Sequence, residues 1–254
     1  MLENKNPLEL YEYYKEIGNY RLAFLNAKKS AYSHQKEGYR KLGYCYQFGI
    51  GTNIDISSAI YFYKLGADLL DLPCLYNLGK LLLQKDDEEG LFYLKKGADL
   101  GHVKSMTLYA SSLEKRKQYS ESLKYYELAY EYGDTAVLDN IGLFYYYGYG
   151  LSIDYKKAFE TFFLSSSLNN PISMYHLGVM YFKGEGVDKS YERAFYWYLE
   201  GSKFNEMHCL YNLGSLYEYG LYIDKDLDKA RYYYKRSEEA GFSLAKDKLD
   251  ELGN

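Results

Sequence analysis

Proline is scarce in this chain. Only Pro7, Pro73 and Pro171 occur among 254 residues, so long stretches run without a residue that breaks a helix. Cysteine is limited to Cys45, Cys74 and Cys209, an odd number in no paired motif, which argues against a disulfide framework and for thiols in a reducing compartment. Nowhere do about 18 apolar residues run together, and Met1-Leu2-Glu3-Asn4-Lys5-Asn6-Pro7 carries no apolar leader core; a soluble, cytoplasmic chain without membrane contact is expected. Lys and Arg form no stripe, and the net charge of -4 with a pI near 5.7 speaks against nucleic acid as a partner. The four histidines, His34, His102, His176 and His208, are scattered without ligand spacing, so neither a metal, a cofactor nor a catalytic group is expected.

What the chain holds in quantity is tyrosine, at 35 residues, within a globular balance of 47% hydrophobic and 26% charged residues. A tyrosine pairs a large apolar area with one polar tip, which suits half-buried interfaces. The arrangement is periodic. Leu42-Gly43, Leu78-Gly79, Ile141-Gly142, Leu177-Gly178 and Leu213-Gly214 recur, with Tyr109-Ala110 as a degenerate copy in the wide gap. Five positions before the marker stand the small residues Gly38, Cys74, Ser105, Ser173 and Cys209, with Val137 as the exception. Three positions after it come Tyr46, Leu82, Leu113, Tyr145, Tyr181 and Tyr217. These positions share one face at helical spacing and define the first helix of each unit, helix A.

A second helix, B, is marked by Ala59, Ala158, Ala194 and Ala230, each preceded by four residues by Asp55, Asp154, Ser190 or Asp226 as the expected N-cap. Gly101, Gly133, Asn169, Asn205 and Gly241 are expected to close helix B in the left-handed conformation. Glycine pairs such as Gly49/Gly51, Gly148/Gly150 and Gly184/Gly186 turn helix A into helix B; without a Lys-Ser/Thr ending or a preceding strand they are not phosphate loops. The acidic run Asp86-Asp87-Glu88-Glu89 places negative charge at a helix start, which is favourable in itself.

Tyr175-His176-Leu177-Gly178-Val179-Met180-Tyr181-Phe182-Lys183-Gly184-Glu185-Gly186-Val187, followed by Ala194-Phe195-Tyr196-Trp197-Tyr198, resembles the Sel1-like repeat, a relative of the tetratricopeptide repeat. The resemblance spans 38–241; residues 72–133 have shorter turns closer to the tetratricopeptide pattern. The expected fold is all-α: an α/α superhelical solenoid of about seven antiparallel hairpins (7–34, 37–71, 72–101, 102–133, 134–169, 170–205, 206–241) and a capping helix at 242–252, in one domain, 1–254.

The resemblance implies a non-enzymatic scaffold or adaptor that holds a protein or peptide on a concave side lined by A helices. Counting from the marker glycine, positions −3, +1, +4 and +5 should look inward. They supply the candidate partner-binding residues Arg40, Tyr44, Tyr76, Lys80, Asp139, Tyr146, Tyr147, Tyr175, Phe182, Lys183, Tyr211 and Tyr219. Tyr76, Tyr175 and Tyr211 stand where such repeats often use tyrosine for packing, whereas Tyr146, Tyr147, Phe182 and Tyr219 at the end of helix A are the preferred candidates. An immunity or regulatory protein that inhibits one cognate protein is the alternative. A β-lactam-binding or hydrolysing enzyme, as in a secreted branch of the family, fits less well, because that branch carries paired cysteines and an export signal. A monomer or weak homodimer is expected.

Overall fold

The computed structural model describes residues 5–253; Met1-Leu2-Glu3-Asn4, part of the opening segment considered above, lies outside them. Among the described residues there are fifteen α-helices and no strand. The chain forms two compact units, Met1–Gly133 and Asp134–Asn254.

The first unit contains four antiparallel helix pairs: α1 (Pro7–Glu16) with α2 (Tyr20–Tyr32), α3 (Lys36–Phe48) with α4 (Ile56–Asp68), α5 (Leu72–Leu83) with α6 (Glu89–Asp99), and α7 (Val103–Lys115) with α8 (Tyr119–Glu131). The second contains α9 (Leu138–Tyr147) with α10 (Tyr155–Ser167), α11 (Pro171–Lys183) with α12 (Tyr191–Ser202), α13 (Met207–Tyr219) with α14 (Leu227–Glu239), and a final described helix, α15 (Leu244–Leu252), packed on α14. Seven hairpins and one further helix are the count that the periodicity predicts. Val137, the bulky exception five before its marker, lies in a 3-10 turn, Thr135–Val137, that leads into α9.

The marker glycines are where the two helices of a hairpin touch. A methyl added to Gly43 would lie 2.8 Å from the Tyr63 ring, one on Gly142 2.5 Å from Phe162, and one on Gly214 2.7 Å from Tyr234; Gly178 meets Tyr198 in the same way. The aromatic ring of helix B thus fills the space that a side chain on helix A would take, and the ring is buried in each case. Contacts between successive hairpins use a second set of small residues. Cys74 lies against Gly66 and Cys209 against Gly201, while a methyl on Gly97 would fall 2.6 Å from the Ser105 hydroxyl oxygen. All three cysteines are buried free thiols, and at Cys74 and Cys209 they act as small packing residues.

Caps set the helix ends. The side chains of Asp55, Asp154, Ser190 and Asp226 each accept a backbone N–H in the first turn of α4, α10, α12 and α14, as their spacing predicts. Gly101, Gly133, Asn169, Asn205 and Gly241 all have positive φ. The two equivalent positions in the first hairpins are His34 and Leu70, both at φ 56°, where the residue type gave no hint of it. No helix among the described residues is long and apolar enough to cross a membrane.

Candidate functional site

The inward set expected on helix A divides by position. Five residues beyond each marker stand Phe48, Gln84, Lys115, Tyr147, Lys183 and Tyr219, and every one of them is exposed. One residue earlier, at +4, stand Gln47, Leu83, Glu114, Tyr146, Phe182 and Glu218, all half-buried or buried. The reason for the second group is visible in its hydrogen bonds. The buried Tyr63 hydroxyl donates to Gln47 Oε1 at 2.8 Å, Tyr126 to Glu114 Oε2 at 2.8 Å, and Tyr234 to Glu218 Oε2 at 2.6 Å. In these three copies position +4 answers the polar tip of a buried tyrosine on helix B, a group that would be costly to leave unpaired; Leu83, Tyr146 and Phe182 make no such bond.

Tyr146 is the most buried of the +4 residues, for a different reason. It was a preferred binding candidate, yet only 6% of it is exposed. Its ring packs beside Phe162 and Tyr155, and its hydroxyl donates to the Glu185 carboxylate in the α11–α12 turn. Burial first, and the Glu185 carboxylate second, push its hydroxyl well above the ordinary phenol range, so it remains a donor. Lys183 Nζ completes the group, 3.3 Å from the Tyr146 hydroxyl and 3.7 Å from Glu185 Oε1. Phe182, the other preferred +4 residue, is half-buried against Tyr191.

Of the remaining candidates, Tyr44, Lys80, Tyr147, Lys183 and Tyr219 are exposed, and Arg40, Tyr76, Asp139, Tyr175 and Tyr211 are half-buried. The −3 tyrosines make packing contacts: Tyr76 meets His102, Tyr175 meets His208, and Tyr211 lies between Tyr234 and Phe242. Arg40 is held by Glu37 at 2.6 Å and reaches the buried Asp71 at 3.8 Å. In the first unit Tyr44 and Phe48 form an exposed aromatic pair with ring centres 4.6 Å apart, with Lys15 over the Tyr44 ring. In the second unit Tyr147 stacks on Tyr149, and Tyr219 receives Lys248 over its ring. No group of three or more His, Cys, Asp or Glu side chains among the described residues is placed to hold a metal ion.

One repeated exposed position carries no signal in residue type alone. The residue before each left-handed closer is a large apolar one in five hairpins, Leu69, Leu100, Tyr132, Leu168 and Phe204, and each is about half exposed. In four of the five the register was available, one position upstream of the closing Gly or Asn; Leu69 precedes Leu70.

These contacts define a helical-repeat protein in which, within each of the two units, neighbouring hairpins complete one another's cores. The Sel1 repeat pattern matches residues 36–69, 73–102, 108–134, 138–169, 171–203 and 208–242, and the chain belongs to that family. A Sel1 repeat protein from Oxalobacter formigenes shares the fold, with 24% identity and a TM-score of 0.72 over 92% of this chain and 97% of its own. So does a protective antigen of uropathogenic Escherichia coli that displays an SLR fold, at 22% identity and a TM-score of 0.81 over 92% of this chain and 52% of its own. A Sel1-like repeat-containing protein of Acanthamoeba polyphaga mimivirus is 31% identical over 116 residues, 44% of this chain and 22% of that protein. An uncharacterised protein of Neisseria meningitidis serogroup B is 27% identical over 139 residues, 53% of this chain and 30% of that one. The matched segments are thus less than a third of the length of either curated relative.

Proposed function

We propose that this chain holds a protein or peptide partner through the exposed ends of its A helices and performs no chemistry on it. Proteins of the Sel1 repeat family are generally interaction scaffolds and typically non-enzymatic. The observation that carries the reading here is the +5 position: exposed in all six marked copies, and aromatic at Phe48, Tyr147 and Tyr219. These three side chains leave about half of their surface free of the packing beneath them, and rigid aromatic side chains are effective anchors at low entropic cost.

The test is affinity capture followed by measurement of the captured partner's Kd. Tyr147→Ala combined with Tyr219→Ala should weaken binding by more than about tenfold while the far-ultraviolet dichroism stays that of the wild type. Unchanged affinity in the folded double variant removes these ends of helix A from the binding surface.

A further inference from the structure

The first unit carries a cleft of a different chemistry from the exposed aromatics. It lies between the C-terminal ends of α5 and α7, has a volume of about 410 Å³, and is lined by Lys80, Leu83, Gln84, Leu108, Lys115 and Arg116 among others. We propose that this cleft receives an acidic, partly apolar segment of a peptide, a reading that deepens the scaffold function and rests on it.

Charge is the first argument. Lys80 and Lys115 are exposed, and neither forms an ion pair among the described residues. Arg116 is fixed rather than free: one guanidinium nitrogen is 2.6 Å from Glu88 Oε1, and another donates to the Ser112 carbonyl at 3.1 Å. One acidic side chain, Asp86, also lines the cleft, so the cations outnumber it. A lysine in the last turn of a helix is favourable by itself, opposite the partial negative charge of that end. That accounts for one cation on each helix; it does not account for a cleft in which the lysines of two helices meet a third cation over apolar walls.

The neighbouring cleft extends the pattern. Lys15, Arg40, Lys41, Tyr44 and Asn77 line a smaller space of about 190 Å³, and Asn77 lies one helical turn from Lys80 on α5. Cationic side chains therefore mark α1, α3, α5 and α7, the four A helices of this unit, although the chain as a whole is acidic. Here Arg40 and Lys41 already have carboxylate partners, Glu37 and Glu12, and Lys15 lies over the Tyr44 ring, whereas the α5–α7 cleft offers two lysines, Lys80 and Lys115, without an ion pair among the described residues. Leu83 and Leu108, half-buried in its walls, suit apolar side chains between the acidic ones. A nucleic acid backbone fits less well. It would need a continuous cationic track, whereas this cleft offers only three cations beside Asp86.

The experiment is fluorescence anisotropy with the full chain and three labelled probes: a short peptide alternating Glu with Leu, its Gln-for-Glu counterpart, and oligothymidylate. The acidic peptide should bind, weaken as salt is raised, and bind at least about tenfold more weakly to the Lys80→Glu, Lys115→Glu double variant. Both substitutions are at exposed positions, and an unchanged thermal melt confirms that the variant is folded. Binding of the acidic peptide should be insensitive to Tyr147→Ala and Tyr219→Ala. Equal affinity for the Gln peptide, indifference to the charge reversals, or tighter binding of oligothymidylate overturns the inference. If a captured partner still depends on Tyr147 and Tyr219 while the acidic peptide fails to bind, the cleft assignment falls and the scaffold reading stands; if neither binds, the scaffold reading falls as well.

Discussion

Leu70 shows how a single residue can be forced by its neighbours into a conformation that its own chemistry disfavours. It joins α4 to α5 with φ at 56°, and 49% of it is exposed. The turn allows no alternative. Asp71 N donates to the Gly66 carbonyl at 3.0 Å to close α4, while the Asp71 side chain already caps α5 through Cys74 N at 2.9 Å. A left-handed conformation costs a non-glycine residue about 1–2 kcal/mol, and the exposed leucine recovers only part of its burial energy. Leu70→Gly should therefore raise stability by no more than about 0.5 kcal/mol, after the entropy that glycine adds to the unfolded chain and the leucine burial that is lost. A shift of the urea midpoint to higher concentration measures this; a midpoint that falls means that Leu70 is held by contacts worth more than the strain. The same comparison marks the limit of reading residue types. Glycine and asparagine announced five of the seven closers, while His34 and Leu70 are left-handed although their residue types do not favour it. Tyr222 is a further case: at φ 72° it stands where Gly51, Gly150 and Gly186 stand in other copies.

Between elements, the packing of helix on helix was legible wherever it depends on size. The marker glycines, the small residues five positions earlier and the B-helix aromatics are one steric pattern, and the structure joins them as their spacing implies. The candidate site was less legible, because positions +4 and +5 are adjacent in sequence and differ in what lies beneath +4, which in three copies is a B-helix hydroxyl. That depends on a residue sixteen positions away, such as Tyr63 for Gln47 or Tyr234 for Glu218. His176 on α11 gives the contact between α10 and α11 a pH dependence. Its ring stacks on Phe162 with centres 4.7 Å apart and is 8% exposed. Burial lowers its pKa from 6.5 to about 4, the Glu206 carboxylate opposing the shift and His208 adding to it. Between these values the unfolded chain binds a proton that the folded chain refuses. Stability is thus complete above about pH 6.5 and declines as pH falls toward about 4, by as much as about 3 kcal/mol. His176→Phe keeps a ring against Phe162 and removes the proton site. The variant should gain on the wild type as the medium is acidified, in paired urea titrations near neutral pH and near pH 4. A stability difference that does not change with pH would show that the histidine is not held neutral by its burial.

For the whole molecule, the repeat register runs from 38 to 241 without a linker, and on that ground residues 1–254 are expected to unfold as one domain, although the contacts group into two compact units. The sequence provides a probe that separates the cases. Trp197 is the only tryptophan, it lies in the second unit on α12, and its ring meets Phe163 with centres 6.0 Å apart. Its fluorescence reports on that unit, whereas far-ultraviolet dichroism reports on helices in both. Gly79→Val places a lesion in the first unit alone, because a side chain there would begin 2.7 Å from Leu94 Cγ and 2.8 Å from the Gly90 carbonyl oxygen. The expected cost is about 2 kcal/mol, from overpacking between α5 and α6. In a single cooperative domain that cost is shared, so both signals move to lower urea together and their midpoints coincide. In a stack whose cooperativity is limited to nearest neighbours, the dichroism divides into two steps and the Trp197 midpoint stays where it was. An unmoved fluorescence transition in Gly79→Val would therefore make Met1–Gly133 and Asp134–Asn254 two folding domains, and binding sites on their A helices could then be lost or kept independently of one another.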